Sequence, residues 1–465
     1  MVKKSSKRSK LRKILVFLVS LALSLVAAEI VLRLVWPLRL PVIGYRDSAN
    51  AKRYGYGFAP SEPIVARDPD TGEVYVTLAN NHGWRDRDRR FDNPDGAFRI
   101  VILGDSNTFG QTVALDQTYP PLLEGRLQKA GYNVEVIPIA LGAWDTTQEL
   151  EALRLEGIRY QPDLVILQFS LNDIRDNVPA LRGICTAPFY YTLDESGRLV
   201  RHRRPSSDKG DGAERMLKRI IMQSELLKRM YWWHVKSSLY EDVEAAEFQA
   251  TEEQIEQIRL VLGLDQSAPF VGYLRKHRDE ALDRTGLLAA IERCGLQKNR
   301  EVVLRILEKR RFRQGIAPME FHPSGCDGTS YAWQLFFALV EEMARVAREN
   351  GAEFALYSEH DVGLYEWEVS WHRVSDDPRA RERYLEPNAL LRRFARQQGF
   401  DFIENPRPIV RARNDPHASP EGNAAMAENL FDYLAREHRR ALETHRKRPS
   451  ATYEHSSGNG ERSSR

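Results

Sequence analysis

The segment Ile100-Val-Ile-Leu-Gly-Asp-Ser-Asn-Thr-Phe-Gly110 joins an apolar run to a small polar turn that ends in glycine. A short apolar run followed by such a turn is typical of a buried strand in a parallel sheet. The turn after a parallel strand lies at the carboxyl edge of the sheet, where α/β proteins bind their ligands. Ser106 is therefore a candidate nucleophile, which would need a general base and hydrogen-bond donors for an oxyanion.

The order strand, loop, helix recurs along the chain after Phe98. Apolar and alternating runs predict strands at 99–103, 134–139, 163–169, 353–357 and 402–403. Amphipathic stretches predict helices at 119–130, 146–158, 330–350, 387–398 and 424–436, and Thr146-Thr-Gln-Glu149 has the pattern of a capping box. Repeats of this kind predict an α/β fold, a three-layer α/β/α sandwich with a central parallel sheet, formed by residues 98–178 and 328–437.

The amino end is first basic and then apolar. Residues 1–13 are rich in lysine and arginine, and the apolar run 14–36 has the length of a membrane-spanning helix. Glu29 and Arg33, one helical turn apart within this run, are expected to pair. The positive-inside rule would leave residues 1–13 in the cytoplasm and the catalytic body in the periplasm or extracellular space.

A cleavable signal peptide is the alternative to an uncleaved anchor. Val26-Ala-Ala28 resembles a cleavage site after a shorter apolar core, whereas the apolar residues that follow it prolong the run and favour the anchor. Both interpretations export the chain after Trp36. Residues 37–97 are then expected to form an exported lead-in, with a strand near Glu73 to Leu78, rather than a separate domain.

The α/β rhythm breaks at residues 179–327. Helical patterns at 212–235 and 285–309, and the capping-box sequence Thr251-Glu-Glu-Gln254, predict a mostly helical insertion or lid. We interpret the consecutive aromatic residues 231–233 as packing rather than as a substrate platform. The charged and then Ser- and Gly-rich segment 438–465 is expected to be a disordered tail.

The cysteines and the charge exclude several classes of function. Cys185, Cys294 and Cys326 have no CxxC or other metal-ligand spacing, so we expect no metal and no cofactor. Cys185 and Cys326 flank the insertion and could form a disulfide in an oxidising compartment, although the third cysteine leaves the pairing open. The net charge is only +3 and basic residues concentrate at the two ends, which argues against nucleic-acid binding.

Three later loops supply what a nucleophilic serine needs. In Asp415-Pro-His417 the carboxylate is two residues from the imidazole, and residues at this spacing face the same side of an extended segment. The carboxylate could hold the imidazole with its acceptor nitrogen toward Ser106. Gly142 and Asn172 follow the next two strands, and their main-chain and side-chain N–H groups could complete an oxyanion hole with the Ser106 N–H.

The segments around Ser106, Gly142, Asn172 and His417 occur in the order found in the SGNH hydrolases, or GDSL-type esterases and lipases, and the chain resembles that family. The segment Asn81-His-Gly-Trp-Arg-Asp86 also looks like one found upstream in membrane-anchored bacterial members. The resemblance implies a flavodoxin-like fold and a serine hydrolase that acts on ester bonds. It also implies that Ser106 is the nucleophile, His417 the base and Asp415 its orienting acid. The oxyanion hole would comprise Ser106, Gly142 and Asn172. Asn107 departs from the pattern, because the namesake motif has leucine there.

The expected activity is hydrolysis of an ester, such as an O-acetyl group on a glycan or envelope component, through an acyl-enzyme. One alternative is an O-acyltransferase that uses the same triad to move the acyl group to a sugar hydroxyl. Another is a non-catalytic glycan-binding envelope protein. We interpret His82 as a structural loop histidine. His360, next to Glu359 and Asp361, is a loop or substrate contact rather than a metal ligand.

Overall fold

The structure, a computed structural model, describes residues 3–35, 48–178, 187–194, 196–203, 224, 226–227, 229–230, 247–248, 250, 252–278, 282–308, 331–371 and 374–446. In chain order its strands are β1 Pro63–Arg67, β2 Val74–Leu78, β3 Phe98–Gly104, β4 Val134–Ala140, β5 Leu164–Phe169, β6 Phe189–Leu193, β7 Leu199–Arg203, β8 Glu247–Phe248, β9 Leu282–Asp283, β10 Glu353–Ser358 and β11 Asp401–Ile403. Its α-helices are α1 Lys3–Val35, α2 Ala49–Tyr54, α3 Ser106–Phe109, α4 Tyr119–Lys129, α5 Thr146–Leu155, α6 Asn172–Asp176, α7 Glu252–Val261, α8 Pro269–Lys276, α9 Arg284–Arg293, α10 Arg300–Glu308, α11 Tyr331–Glu349, α12 Val362–Ser370, α13 Pro378–Gln398, α14 Pro420–Glu437 and α15 Arg439–Thr444.

Five strands form one parallel sheet in the order β11-β10-β5-β3-β4. Ile100 of β3 is opposite Val136 of β4 and Leu164 of β5, and every residue of β3 and β5 is buried. Strands buried on both faces explain why these segments are almost continuously apolar. The winding reverses beside β3, and this reversal is the place where flavodoxin-like sheets hold their ligands. The predicted α/β fold with a central parallel sheet is confirmed.

Helices cover both faces of the sheet, and alternate β3 residues point to opposite faces. Ile100 and Ile102 lie in one apolar core with residues of α4 and α14, whereas Val101 and Leu103 lie in a larger core with residues of α5 and α11. Burial of about 25 cal/mol for each Å² of apolar surface is the main force that holds such layers together. The helices do not cover the carboxyl edge of the sheet, where the loops that follow the strands lie.

The lead-in segment packs against the larger core. Tyr54 of α2 and Trp84 each lie edge-on or tilted against Trp144, with ring centroids 5.3 and 5.6 Å away. The buried guanidinium of Arg89 pairs with Asp86 at 2.6 Å and Glu124 at 2.8 Å. β1 and β2 form an antiparallel hairpin, and β2 agrees with the strand expected near this position.

The insertion contains more strand than the sequence predicts. Its described part has the four helices α7 to α10, but β6 and β7 form an antiparallel hairpin, and β8 pairs with β9. The hairpin packs on α5, where Arg201 pairs with Glu151 at 3.1 Å. The helix predicted at 212–235 lies largely outside the described residues, as do Thr251 and the aromatic residues 231–233. Cys185 and Cys326 also lie outside them, and Cys294 is a free thiol.

Three local predictions are wrong, although α5 begins at Thr146 as expected. α5 is capped by Asp145, which accepts from the Gln148 N–H at 3.1 Å, so the expected Thr146 capping box does not form. α13 begins at Pro378 after the Asp377 cap, nine residues before the predicted start, and contains Pro387 in its interior. The segment after residue 437 continues as α15, whose Leu442 is buried, so residues 438–446 are not the start of a disordered tail.

The helix α1 contains a segment, Leu15–Arg33, with mean hydropathy 2.6, and none of its described side chains is buried. By length and composition this segment is able to cross a membrane, and a signal sequence has the same properties. Arg33 Nε lies 2.7 Å from the Glu29 carboxylate, which confirms the predicted pair.

Candidate active site

Ser106 is the first residue of the short helix α3, directly after β3. The preceding Gly104 has no room for a side chain, because a Cβ there would lie 2.2 Å from Thr108 Oγ1 and 2.6 Å from Gln168 Oε1. Asp105 caps α3 by accepting a hydrogen bond from the Asn107 N–H. The sharp turn from strand to helix places Ser106 at the carboxyl edge of the sheet, and the residue is 8% exposed.

His417 lies on the loop between β11 and α14, and main-chain hydrogen bonds fix this loop. The Ala412 N–H donates to the His417 carbonyl at 3.0 Å, and the Ser419 N–H donates to Val410 at 3.0 Å. The indole of Trp367 in α12 also donates to the Ala412 carbonyl at 2.8 Å. α12 is absent from the elements predicted from sequence, and it supports the loop from outside.

The structure brings the three predicted triad residues together. His417 Nε2 lies 2.7 Å from Ser106 Oγ. His417 Nδ1 makes a short hydrogen bond with Asp415 Oδ1, and the His417 N–H donates to the same oxygen at 3.0 Å. The serine and the histidine are 311 positions apart in the sequence, and the fold brings them into hydrogen-bond contact. A serine hydroxyl, an imidazole and a carboxylate in this order have the geometry of a proton-transfer chain.

The charges around the imidazole favour its protonated form. Burial acts to lower the pKa of His417, but the hydrogen bond and charge of Asp415 outweigh burial and raise that pKa above 6.5. Asp105 and Glu359 act in the same direction. Burial acts to raise the pKa of Asp415, and its bonds to His417 more than offset this, so that pKa lies below 3.8. Asp415 is therefore ionised at neutral pH and stabilises an imidazolium.

Gly142 lies close to the serine. A Cβ on Gly142 would lie 3.9 Å from Ser106 Cβ and only 2.9 Å from Gln111 Oε1. Among the residues that the structure describes, the main-chain N–H groups of Ser106 and Gly142 donate to no protein acceptor. Two N–H groups without protein acceptors beside a serine have the chemistry needed to bind a negatively charged oxygen.

Asn172, the third donor expected for the oxyanion hole, already has a hydrogen-bond partner in the structure. Its Nδ2 donates to Asp176 Oδ2 at 3.3 Å. Asn172 also lies near Asp105, the residue before Ser106, and its amide opposes the rise that burial causes in the pKa of Asp105. The amide is therefore next to the serine turn and already donates to the Asp176 carboxylate.

Gln111 is a site residue that sequence reasoning missed. Its Nε2 lies 3.1 Å from His417 Nε2 and 3.2 Å from Nδ1, so the amide packs against the face of the imidazole ring. The only sequence signal is its position one residue after the glycine that ends the serine turn. Its amide can contact a bound substrate without a change in the main chain.

The other candidate histidines have structural surroundings. His82 Nε2 lies 3.1 Å from the Arg89 carbonyl, and its ring packs on Phe91, which confirms the structural interpretation. His360 is completely buried and stacks on Tyr384, so it is not the substrate contact that was one expectation. Within the described ranges no group of three or more histidine, cysteine or acidic side chains has the geometry of a metal site.

The model of the GDSL-like Lipase/Acylhydrolase family matches residues 102–425 of the chain. Three solved structures are similar to it and are described in their titles as TesA, an acetyl xylan esterase (AlAXEase), and a GDSL-like lipase from Bacteroides thetaiotaomicron. TesA is 12% identical with a TM-score of 0.31, and the match covers 72% of this chain and 97% of TesA. The acetyl xylan esterase is 9% identical with a TM-score of 0.30, covering 72% and 99%.

The Bacteroides lipase is 11% identical with a TM-score of 0.25, covering 75% of this chain and 88% of its own. None of the curated proteins compared matches the sequence. The family match spans more than half of the chain and includes the Ser106 turn and the His417 loop. The chain therefore belongs to the GDSL-like lipase/acylhydrolase family, whose members are hydrolases of the esterase and lipase type.

Proposed function

We propose that this protein is a serine esterase, held at a membrane by its first helix, that cleaves an ester through a covalent acyl-enzyme. The observation that carries the proposal is the 2.7 Å contact between Ser106 Oγ and His417 Nε2, with Asp415 on the other ring nitrogen. A nucleophile, a base and an orienting acid in hydrogen-bond reach are the minimum set for this chemistry.

In the first half-reaction Ser106 Oγ attacks the ester carbonyl and gives its proton to His417 Nε2. The new oxyanion is bound by the N–H groups of Ser106 and Gly142, with the Asn172 amide as a third donor once it exchanges its bond to Asp176 for one to the substrate. His417 then gives the proton to the alkoxy oxygen as the C–O bond breaks and the alcohol leaves. Water attacks the acyl-enzyme with His417 as base, which releases the acid and restores the serine.

The substrate we propose is an O-acylated glycan or another envelope component, met by a catalytic body outside the cytoplasm. The basic segment before α1 and the apolar length of Leu15–Arg33 support this location. The amides of Gln111 and Asn172 beside Ser106 support a substrate with polar groups near the ester rather than a long acyl chain.

The test is hydrolysis of p-nitrophenyl acetate by the full chain in detergent, for wild type, Ser106→Ala and His417→Ala. We expect both variants to lose at least about 10³-fold in kcat. A serine-directed phosphonate should give a single adduct on Ser106, as determined by mass spectrometry. Equal rates in all three proteins, or no adduct on Ser106, would refute the proposal.

A further inference from the structure

Asn107 is the residue next to the nucleophile, at the position where the family's namesake motif has leucine. Its side chain is buried and uses both ends of its amide. Oδ1 accepts a hydrogen bond from the Ala418 N–H at 2.9 Å, and Nδ2 donates a short hydrogen bond to the Glu359 carboxylate. One side chain thus joins the serine turn, the His417 loop and the end of β10.

Glu359 is the carboxylate at the centre of these contacts. It is 6% exposed and receives hydrogen bonds from Ser170 Oγ at 2.7 Å and from Arg411 Nη1 at 3.3 Å, in addition to the Asn107 amide. Burial acts to raise its pKa, and the charge of Arg411 opposes this. A buried carboxylate needs several donors, because leaving its charge unpaired in the interior strongly destabilises the folded protein.

Arg411 continues the network to the residue before the catalytic base. Its side chain is 1% exposed. Nη2 donates to the Glu359 carbonyl at 2.7 Å and to Asp361 at 3.3 Å, and Nη1 donates to the Pro416 carbonyl at 3.3 Å. The main chain on each side of His417, the Pro416 carbonyl and the Ala418 N–H, is therefore held by this network.

The ion pair between Glu359 and Arg411 could stabilise the fold without any contact to the His417 loop. Instead, the network that contains it ends on the Pro416 carbonyl and the Ala418 N–H. Arg411 contacts Pro416 and Asn107 contacts Ala418, which are the residues before and after His417. Asn107 also follows Ser106 directly in the sequence. A displacement of about 1 Å in such a pair can cost on the order of 10²-fold in rate. The contacts are placed to fix the distance between the serine oxygen and the imidazole nitrogen.

We propose that Asn107, supported by Glu359 and Arg411, is a positioning residue that holds the His417 loop in register with the Ser106 turn. The proposal rests on the proposed function, since it assumes that Ser106 and His417 react together. A leucine at this position would fill the space but would hold neither the Ala418 N–H nor the Glu359 carboxylate. In this chain the nucleophile turn is therefore joined to the His417 loop by hydrogen bonds of the Asn107 side chain.

The test compares Asn107→Leu, Glu359→Gln and the double variant with wild type, in the full chain in detergent. We expect Asn107→Leu to lower kcat on the order of 10- to 100-fold, with KM changed less than about threefold, because alignment rather than binding is lost. The rate of phosphonate labelling of Ser106 should fall in parallel. The double variant should lose less than the product of the two single losses, because both substitutions break one connected network.

Leu127→Ala is the matched control, because Leu127 is a buried apolar residue of α4 and takes no part in the hydrogen-bond network around Asn107. It should lower the unfolding temperature and leave kcat per folded molecule unchanged. If Asn107→Leu does not fold, the kcat of the isosteric variant Glu359→Gln tests the proposal. A wild-type kcat in the folded single variants would overturn the proposal. Activity that falls only in proportion to the folded fraction, as in the control, would also overturn it. An inactive wild type without a Ser106 adduct would instead refute the esterase function.

Discussion

The hydroxyl of Tyr56 donates a short hydrogen bond to the carbonyl of Gly142, so a lead-in residue is joined to the loop beside Ser106. The next residue, Ala143, has a φ of 61°, which residues with a side chain rarely adopt. Such a conformation costs roughly 1–3 kcal/mol and persists only where the surroundings hold it. The lead-in segment is thus part of the support of the proposed oxyanion hole.

Replacement Tyr56→Phe should lower kcat about tenfold, because the loop that carries the Gly142 N–H loses a contact that holds it. KM should change little. The measurement is steady-state ester hydrolysis by the full chain. Tyr132→Phe is the matched control, since that hydroxyl contacts Glu443 at the amino-terminal edge of the sheet. An unchanged kcat in Tyr56→Phe would show that the bond does not serve the reaction.

Asp415→Asn should lower kcat on the order of 10²- to 10⁴-fold, because the imidazole loses the group that orients it and stabilises its charged form. The charge of Asp415 raises the pKa of His417, so its removal lowers that pKa. Activity requires the neutral base and rises with pH through this pKa. The acid limb of the kcat/KM profile should therefore move to lower pH in the variant. A limb at the wild-type position would contradict the assigned role.

The sheet was predictable from sequence because its strands are nearly continuous apolar runs that end in polar turns. Ser106, Gly142 and Asn172 were found in this way, as each follows such a run. The helix start at Pro378 was missed, because a proline such as Pro387 normally ends or begins a helix rather than lying inside one. Sequence rules for helix ends fail at positions where tertiary packing determines the extent of the helix.

The polar network around Asn107 could not be predicted for a different reason. Asn107 and Glu359 are 252 positions apart, and no local pattern relates them. The hairpin of β6 and β7 did have a signal, because Asp194 and Gly197 bracket a turn between β-prone residues. The helical periodicity on either side of this hairpin is the stronger pattern, and it predicts an insertion that is mostly helical.

The full-length protein should remain in the membrane fraction after alkaline carbonate extraction, because the Leu15–Arg33 segment is long enough to span the bilayer. Deletion of residues 1–36 should release the activity into the soluble fraction. Protease added to intact spheroplasts should digest the body if it faces outward. A mature amino terminus at Glu29 would show that the segment is cleaved, and protection of the body would contradict its export.

Asp173 should make the protein less stable as the pH rises. Burial, and then the nearby carboxyls of Glu149 and Asp105, hold its pKa well above the ordinary 3.8. Its Oδ2 accepts from the Ser170 N–H at 2.9 Å, but Oδ1 has no hydrogen-bond partner among the residues that the structure describes. The folded state therefore binds the proton more tightly than the unfolded chain, and stability is lost as pH rises through the raised pKa.

Asp173→Asn removes this titration and can still accept from the Ser170 N–H. The difference in unfolding free energy between the variant and wild type should therefore shift in favour of the variant between about pH 5 and about pH 8. Urea unfolding of the full chain at both pH values measures it. Asp432→Asn is the control, because Asp432 is an exposed surface residue. A pH-independent difference for Asp173→Asn would mean that this carboxyl is ionised without cost in the folded protein.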